Sequence, residues 1–268
     1  MGMFEHVLLA SDLDGTLYNR ARQVSETNRT AIRRFTEAGG RFTVATGRSI
    51  QAFVQPRREI PLNAPVILAN GALICDCDEG RVLRSVPLGG DYLSVCAAAG
   101  AAFPEVAVEA HLLTGIWVVG SNAMSRAHLT AVQVSATQAS SLADIPGGWL
   151  KALFVGEEAA LRALDGWFRP RYGDRYDLCF SHANLLEMQH KEANKGAALL
   201  WLADALSVPR ARVFCVGDQE NDLPMLSAVT SFAPANAAPE VRAAVRHMAP
   251  DCDDHTIAAV IDMLPALL

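Results

Sequence analysis

The chain has 268 residues, more than one compact core usually needs and enough for two domains, one of them small. Hydrophobic residues make up 51% and charged residues only 19%, which excludes a mainly disordered or fibrous chain. A formal net charge of −6 argues against a surface that coats nucleic-acid phosphates, so basic contacts must be local.

In chain order, the first apolar run, Val7 to Ala10, is too short for a helix and leads into Ser11-Asp12-Leu13-Asp14-Gly15-Thr16. A helix is predicted from about Glu26 to Ala38, stopped at Gly39-Gly40 where glycine takes the left-handed cap. A second strand, Arg41 to Ala45, follows at once and ends at Thr46-Gly47-Arg48. A third, Val66 to Ala69, ends at Asn70-Gly71. Hairpin-like stretches at Leu73 to Leu83, turning at Asp78-Glu79-Gly80, and a strand at Leu150 to Val155 mark a change of character. Residues 83–186 therefore read as an inserted α+β domain, with 1–82 and 187–268 forming the core. The core resumes with a helix from Lys195-Gly196 to about Leu206. A fourth strand, Val213 to Val216, follows, then a helix from Leu223 and a last helix from Thr256 to Leu264. Short Val/Ile/Leu runs alternating with helix-period segments are the pattern of parallel strands buried on both faces, so the fold class is α/β.

Six cysteines scattered along the chain and an N-terminus without a cleavable signal pattern point to a reduced, cytoplasmic protein. The Cys75-x-Cys77 pair has no second pair at zinc-site spacing and reads as alternate residues of a strand. The histidines show no metal spacing. No apolar run approaches the roughly 20 residues that span a bilayer, so no membrane contact is expected.

Every predicted strand ends in a polar cluster, and open α/β sheets bind ligands outside the carboxyl ends of their strands. Asp12 and Asp14, two apart with Gly15 allowing a tight bend, can share one cavity. Ionised together they repel, unless a divalent cation sits between them or one keeps its proton. Either state suits phosphate chemistry, in which one carboxylate attacks phosphorus and the other moves protons. Thr46-Gly47-Arg48 places a hydroxyl, backbone N–H groups and a guanidinium at a predicted helix start, which suits phosphate oxygens. Lys195 could balance Asp12 and a phosphoryl group. Gly217-Asp218-Gln219-Glu220-Asn221-Asp222 is the most charge-dense strand end, and its few hard oxygen ligands describe a magnesium site.

These elements, in this order, resemble the haloacid dehalogenase superfamily of phosphohydrolases. The insertion between Thr46 and Lys195, together with Ala69-Asn70-Gly71-Ala72 and Ser231-Phe232-Ala233-Pro234-Ala235-Asn236-Ala237, resembles its Cof-type branch, subclass IIB. The resemblance implies a Rossmann-like three-layer parallel-sheet core with an inserted α+β cap. It implies Asp12 as nucleophile and Asp14 as acid/base, with Mg2+ held by Asp12, Asp14 through its backbone carbonyl, and Asp218, and supported by Asp222. Gly15, Thr46, Gly47, Lys195 and Asn221 would hold phosphate. Arg48, Asn70, His182, Asn184 and Glu187 are candidates for contact with the leaving group. Two details depart from the family pattern: Tyr18 stands where an aliphatic residue is usual, and Asp251-Cys252-Asp253-Asp254-His255 replaces a glycine-containing turn. The expected activity is hydrolysis of small phosphorylated metabolites, sugar phosphates first, by a monomer or weak homodimer. A sugar phosphomutase using the same aspartyl-phosphate and a non-catalytic phospho-ligand sensor are the alternatives.

Overall fold

A computed structural model describes residues 2–268. Strand β1 (Leu8–Ser11) is followed by α1 (Glu26–Glu37), β2 (Arg41–Val44), α2 (Ile50–Glu59), β3 (Val66–Leu68), β4 (Leu73–Asp76) and β5 (Arg81–Ser85). The middle of the chain forms α3 (Tyr92–Ala102), β6 (Ala107–Leu112), β7 (Gly115–Val119), α4 (Ala123–Ala131), β8 (Ala136–Gln138), β9 (Lys151–Val155), α5 (Glu158–Tyr172), β10 (Tyr176–His182) and β11 (Leu185–His190). The remainder is α6 (Lys195–Ala205), β12 (Val213–Val216), α7 (Leu223–Leu226), β13 (Thr230–Pro234), α8 (Pro239–Ala244), β14 (His247–Ala249) and α9 (Thr256–Met263). The chain divides into two compact units. One comprises the chain up to Gly47, Val54–Arg84 and Asn194–Leu268; the other comprises Arg48–Phe53 and Ser85–Ala193.

In the first unit a wholly parallel sheet runs in the order β14-β13-β12-β1-β2. A bridge between Ala45 and Ile67 continues it toward the β3-β4-β5 sheet. The interior strand β1 is buried at every position, as the unbroken apolar run before Asp12 requires. On one face, Leu8 and Ala10 pack with Leu199 and Leu202 of α6. Helix α1 is capped by Ser25, whose side chain accepts the Asn28 N–H, and it buries Ala31, Ile32 and Phe35. The buried Asn28 side chain in turn accepts the Ala258 N–H at 3.0 Å, which ties α1 to the start of α9. The predicted helix from Leu223 is only four residues long and carries Pro224 in its first turn.

The second unit is a six-stranded sheet in the order β10-β11-β9-β6-β7-β8, antiparallel except between β7 and β8. Its apolar face buries Val108, Ala110, Phe154, Leu186 and Met188 with Leu161, Leu164 and Phe168 of α5. The period of two then puts Glu109, His111, Lys151, Glu187 and Gln189 on the other face, and all five are buried. The return to the core comes at Asn194 and not at 187, because β11 pairs with both β9 and β10 and so belongs to the inserted sheet.

Candidate active site

Strand β1 delivers Asp12 at its carboxyl end, where the Asp12 N–H donates to the Val216 carbonyl of the neighbouring β12 at 2.8 Å. Gly15 follows with φ +84°, a left-handed backbone that a side chain would strain, and a Cβ there would lie 2.6 Å from Asp218 Oδ2. The bare glycine lets the first loop close onto the β12 loop. Thr16 Oγ1 then donates to Asp218 Oδ1 at 2.7 Å, and the side-chain amide of Asn236, after β13, donates to the Gly15 carbonyl at 2.8 Å.

Helix α6 brings Lys195 to the same place from the far side of the sequence. Asn194 caps the helix by accepting the Ala197 N–H, and Gly196 allows close approach, since a Cβ there would fall 2.2 Å from the Pro224 carbonyl oxygen. A buried ammonium in the first turn of a helix is opposed by the helix dipole. It is held by two carboxylates: Lys195 Nζ donates to Asp12 Oδ1 at 2.7 Å and to Asp222 Oδ1 at 2.6 Å. The other oxygen of Asp222 accepts the backbone N–H groups of Asp218 and Gln219, at 2.9 and 3.1 Å. Asp222 thus shapes the loop and anchors Lys195, with both of its oxygens already engaged. Gly217 completes the turn, since a Cβ there would lie 2.5 Å from Asp222 Cγ.

Asp12, Asp218 and Asp222 bring carboxylate oxygens within 4.8 Å of one another. With Lys195 as the one buried ammonium beside them, full ionisation leaves two negative charges uncompensated. Burial first, then the neighbouring carboxylates, hold the Asp12 carboxyl well above its ordinary range despite Lys195. The Asp218 carboxyl is pushed up to about 6, mainly by burial and then by Asp222, against the hydrogen bonds from Thr16 and Gln219. This donor set, hard oxygens carrying excess negative charge, fits a divalent cation, and Asp12 and Asp218 are the side chains that could hold it.

A linkage follows. Between the ordinary carboxyl value of 3.8 and about 6, folded Asp218 keeps a proton that the unfolded chain has released, so in chelator the stability falls as pH rises through that window. A divalent cation replaces that proton, so magnesium should raise the melting temperature more at about pH 7.5 than at about pH 5. Calorimetry with EDTA and with magnesium at both pH values checks this; equal stabilisation at the two would count against a carboxylate metal site.

The structure brings Asp12, Gly15, Lys195, Asp218 and Asp222 together, all in the first unit. Asp14 is partly exposed, with its Oδ1 3.9 Å from the Arg22 guanidinium. Thr46 is buried at the end of β2, its N–H donating to the Ile67 carbonyl and its carbonyl accepting the Asn70 N–H. Gly47 follows it in the same unit. The Asn221 side chain donates to Asn70 Oδ1 at 3.2 Å, joining the loops that follow β12 and β3. Arg48, His182, Asn184 and Glu187 lie in the second unit. There the Arg48 guanidinium donates to the Ala52 carbonyl, His182 ends β10, Asn184 lies in the β10–β11 turn, and Glu187 is buried against Lys151. Sequence reasoning gave no site role to Thr16, Gln219 or Asn236. Thr16 and Gln219 adjoin residues that it did select, and Asn236 stands in a quoted motif, so position beside a site residue was the available signal.

The family model of the haloacid dehalogenase-like hydrolases matches residues 9–261. The HMP-PP phosphatase of Klebsiella pneumoniae is 30% identical over 250 residues, covering 90% of this chain and 88% of that protein. Among solved structures, a haloacid dehalogenase-like hydrolase from B. subtilis superposes with a TM-score of 0.84 at 25% identity, covering 96% of this chain and 99% of the other. The subclass IIB sugar phosphatase BT4131 superposes at 0.84 with 17% identity, covering 98% and 100%, a likeness of fold. The match runs from within β1 to within α9 and so takes in every strand end described above: the chain belongs to the haloacid dehalogenase-like hydrolases, in the Cof-type branch.

Proposed function

We propose that this chain is a magnesium-dependent phosphatase that hydrolyses small phosphorylated metabolites, sugar monophosphates foremost, through an aspartyl-phosphate. The observation that carries the reading is the state of Asp12: one oxygen is held by Lys195, and among the described residues no hydrogen bond reaches the other. A carboxylate so oriented, beside a fixed ammonium, is an in-line nucleophile for phosphorus.

In the first step Asp12 Oδ2 forms the bond to phosphorus as the bond to the leaving oxygen breaks, and Asp14 gives that oxygen its proton. In the second, Asp14 takes a proton from water as the water oxygen bonds to phosphorus and the Asp12–phosphorus bond breaks. Lys195 keeps Asp12 oriented and offsets charge gathering on the phosphoryl oxygens, with Thr46 and Gly47 at the neighbouring strand end. A magnesium ion bound by Asp12, Asp218 and the Asp14 carbonyl would add positive charge where the phosphoryl group is anionic.

The sugar-phosphate reading draws support from a solved structure of like fold that is named a sugar phosphatase. A relative 30% identical to this chain is named an HMP-PP phosphatase, which keeps HMP-PP in view as another substrate.

The test is phosphate release from p-nitrophenyl phosphate and from hexose monophosphates, with magnesium and with EDTA. Release that needs magnesium and yields free sugar is expected. Release indifferent to EDTA, or an isomeric sugar phosphate as product, would overturn the reading.

A further inference from the structure

The first unit holds a second concavity, a cavity of about 910 Å³ at the opposite end of the sheet. It opens beside Arg41 and Val66, where β2 and β3 begin, whereas Thr46 and Asp12 follow the ends of β2 and β1. Along β2 alone, Arg41 and Thr46 are roughly 16 Å apart at the rise of an extended chain. Four arginines line the cavity, Arg41, Arg57, Arg58 and Arg81, in a protein whose net charge is −6.

Two of the four are already paired, Arg57 with Asp78 and Arg81 with Glu79. The cavity's other carboxylate, Asp76, accepts the backbone N–H groups of Asp78 and Glu79 and so closes the β4–β5 turn. Arg41 and Arg58 have no side-chain hydrogen bond or ion pair among the described residues. A helix-end role accounts for Arg57 and Arg58, which stand in the last turn of α2, where cations offset the carbonyl dipole. It leaves Arg41, on a strand, unexplained, and it does not explain a cavity. Asn63 also lines it, its side-chain amide already accepting the Phe42 N–H and donating to the Gly40 carbonyl, and the rest of the lining is mostly apolar, including the half-buried indole of Trp201 with Leu83 and Leu206.

We propose that this cavity is a second ligand site, separate from the Asp12 centre, that binds a phosphate ester of an aromatic ring system such as a nucleoside monophosphate. Arg41 and Arg58 supply the planar donor forks that a phosphate accepts, and Trp201 with its apolar neighbours supplies the surface on which a flat ring rests. Helix α6 joins the two places, with Lys195 in its first turn and Trp201 and Ala205 at the cavity.

The test is calorimetric titration of the whole chain in EDTA with AMP, with adenosine and with inorganic phosphate. AMP should bind at least about tenfold more tightly than either part alone, and the exposed-residue pair Arg41→Gln with Arg58→Gln should weaken it by about tenfold or more. Circular dichroism confirms that the paired variant is folded. An AMP isotherm unchanged in the paired variant would assign the binding elsewhere and overturn the proposal. So would phosphate or adenosine binding as tightly as AMP, or no AMP binding at millimolar concentration. The measurement needs no turnover, so its outcome is independent of whether the Asp12 centre is a phosphatase.

Discussion

Asp12→Asn should abolish phosphate release, by about 10⁴-fold or more, while leaving the protein folded and no less stable. An amide has the shape of the carboxylate, and its oxygen can still accept from Lys195 Nζ, so the 2.7 Å contact has a replacement. It has no electron pair fit to attack phosphorus. The stability half of the expectation comes from charge. Asp12 is buried, its carboxyl is held above the ordinary range by that burial, and it stands with Asp218 and Asp222 beside a single ammonium. Removing one of two uncompensated negative charges relieves repulsion inside the unit, so in EDTA near neutral pH the melting temperature should hold or rise. Steady-state phosphate release and a thermal melt on the same preparation check both halves. A variant that loses activity and stability together would make Asp12 a structural residue, and one that keeps activity would remove it as nucleophile.

The strand ends were the legible part of this molecule. An unbroken apolar run flanked by a carboxylate cluster reads the same in sequence and in structure, and so β1, β2 and β12 fall within a residue of where pattern alone puts them. Asp12, Lys195 and Asp218 were legible for the same reason, since a charged residue directly beside a buried strand or helix needs a purpose. Asp222 was only half legible. The charge-dense strand end pointed to a supporting role beside a metal, but residues 220–222 form a tight 3-10 turn, and the Asp222 oxygens go to backbone N–H groups and Lys195.

Of the polar face of the second unit only Glu187 was singled out in the sequence, and the face as a whole was not legible. Glu109 sits beside Leu153, His111 beside Lys151, and Glu187 beside Leu153, on three strands far apart in the chain. Only the pairing register brings them onto one surface, and register is a tertiary property. The same fact explains the boundary: Leu185–His190 alternates like any strand, and nothing local says which sheet it joins.

Lys195→Met should have the largest effect on stability in the core unit. The methionine fills much of the volume but leaves Asp12 and Asp222 without the ammonium that contacts them at 2.7 and 2.6 Å. Removing one partner of a buried ion pair costs about 3–5 kcal/mol, because the remaining charge is stranded away from water. Losing the ammonium pushes the Asp12 carboxyl still further above its ordinary range, and Asp12 can escape part of the cost by taking up a proton. The sign is then fixed: the destabilisation is small in acid and grows as pH rises, so wild type and variant should melt closest near about pH 5 and furthest apart near about pH 8. Magnesium should narrow the gap, and so should adding Asp12→Asn to Lys195→Met, which deletes one stranded charge. Activity separates from stability here. The double variant recovers much of the melting temperature and none of the phosphate release, while Lys195→Met alone loses about 10²- to 10³-fold, the usual scale for a missing electrostatic group. A single variant whose stability is independent of pH, or whose loss the second substitution deepens, would show that Lys195 packs in the site without neutralising it.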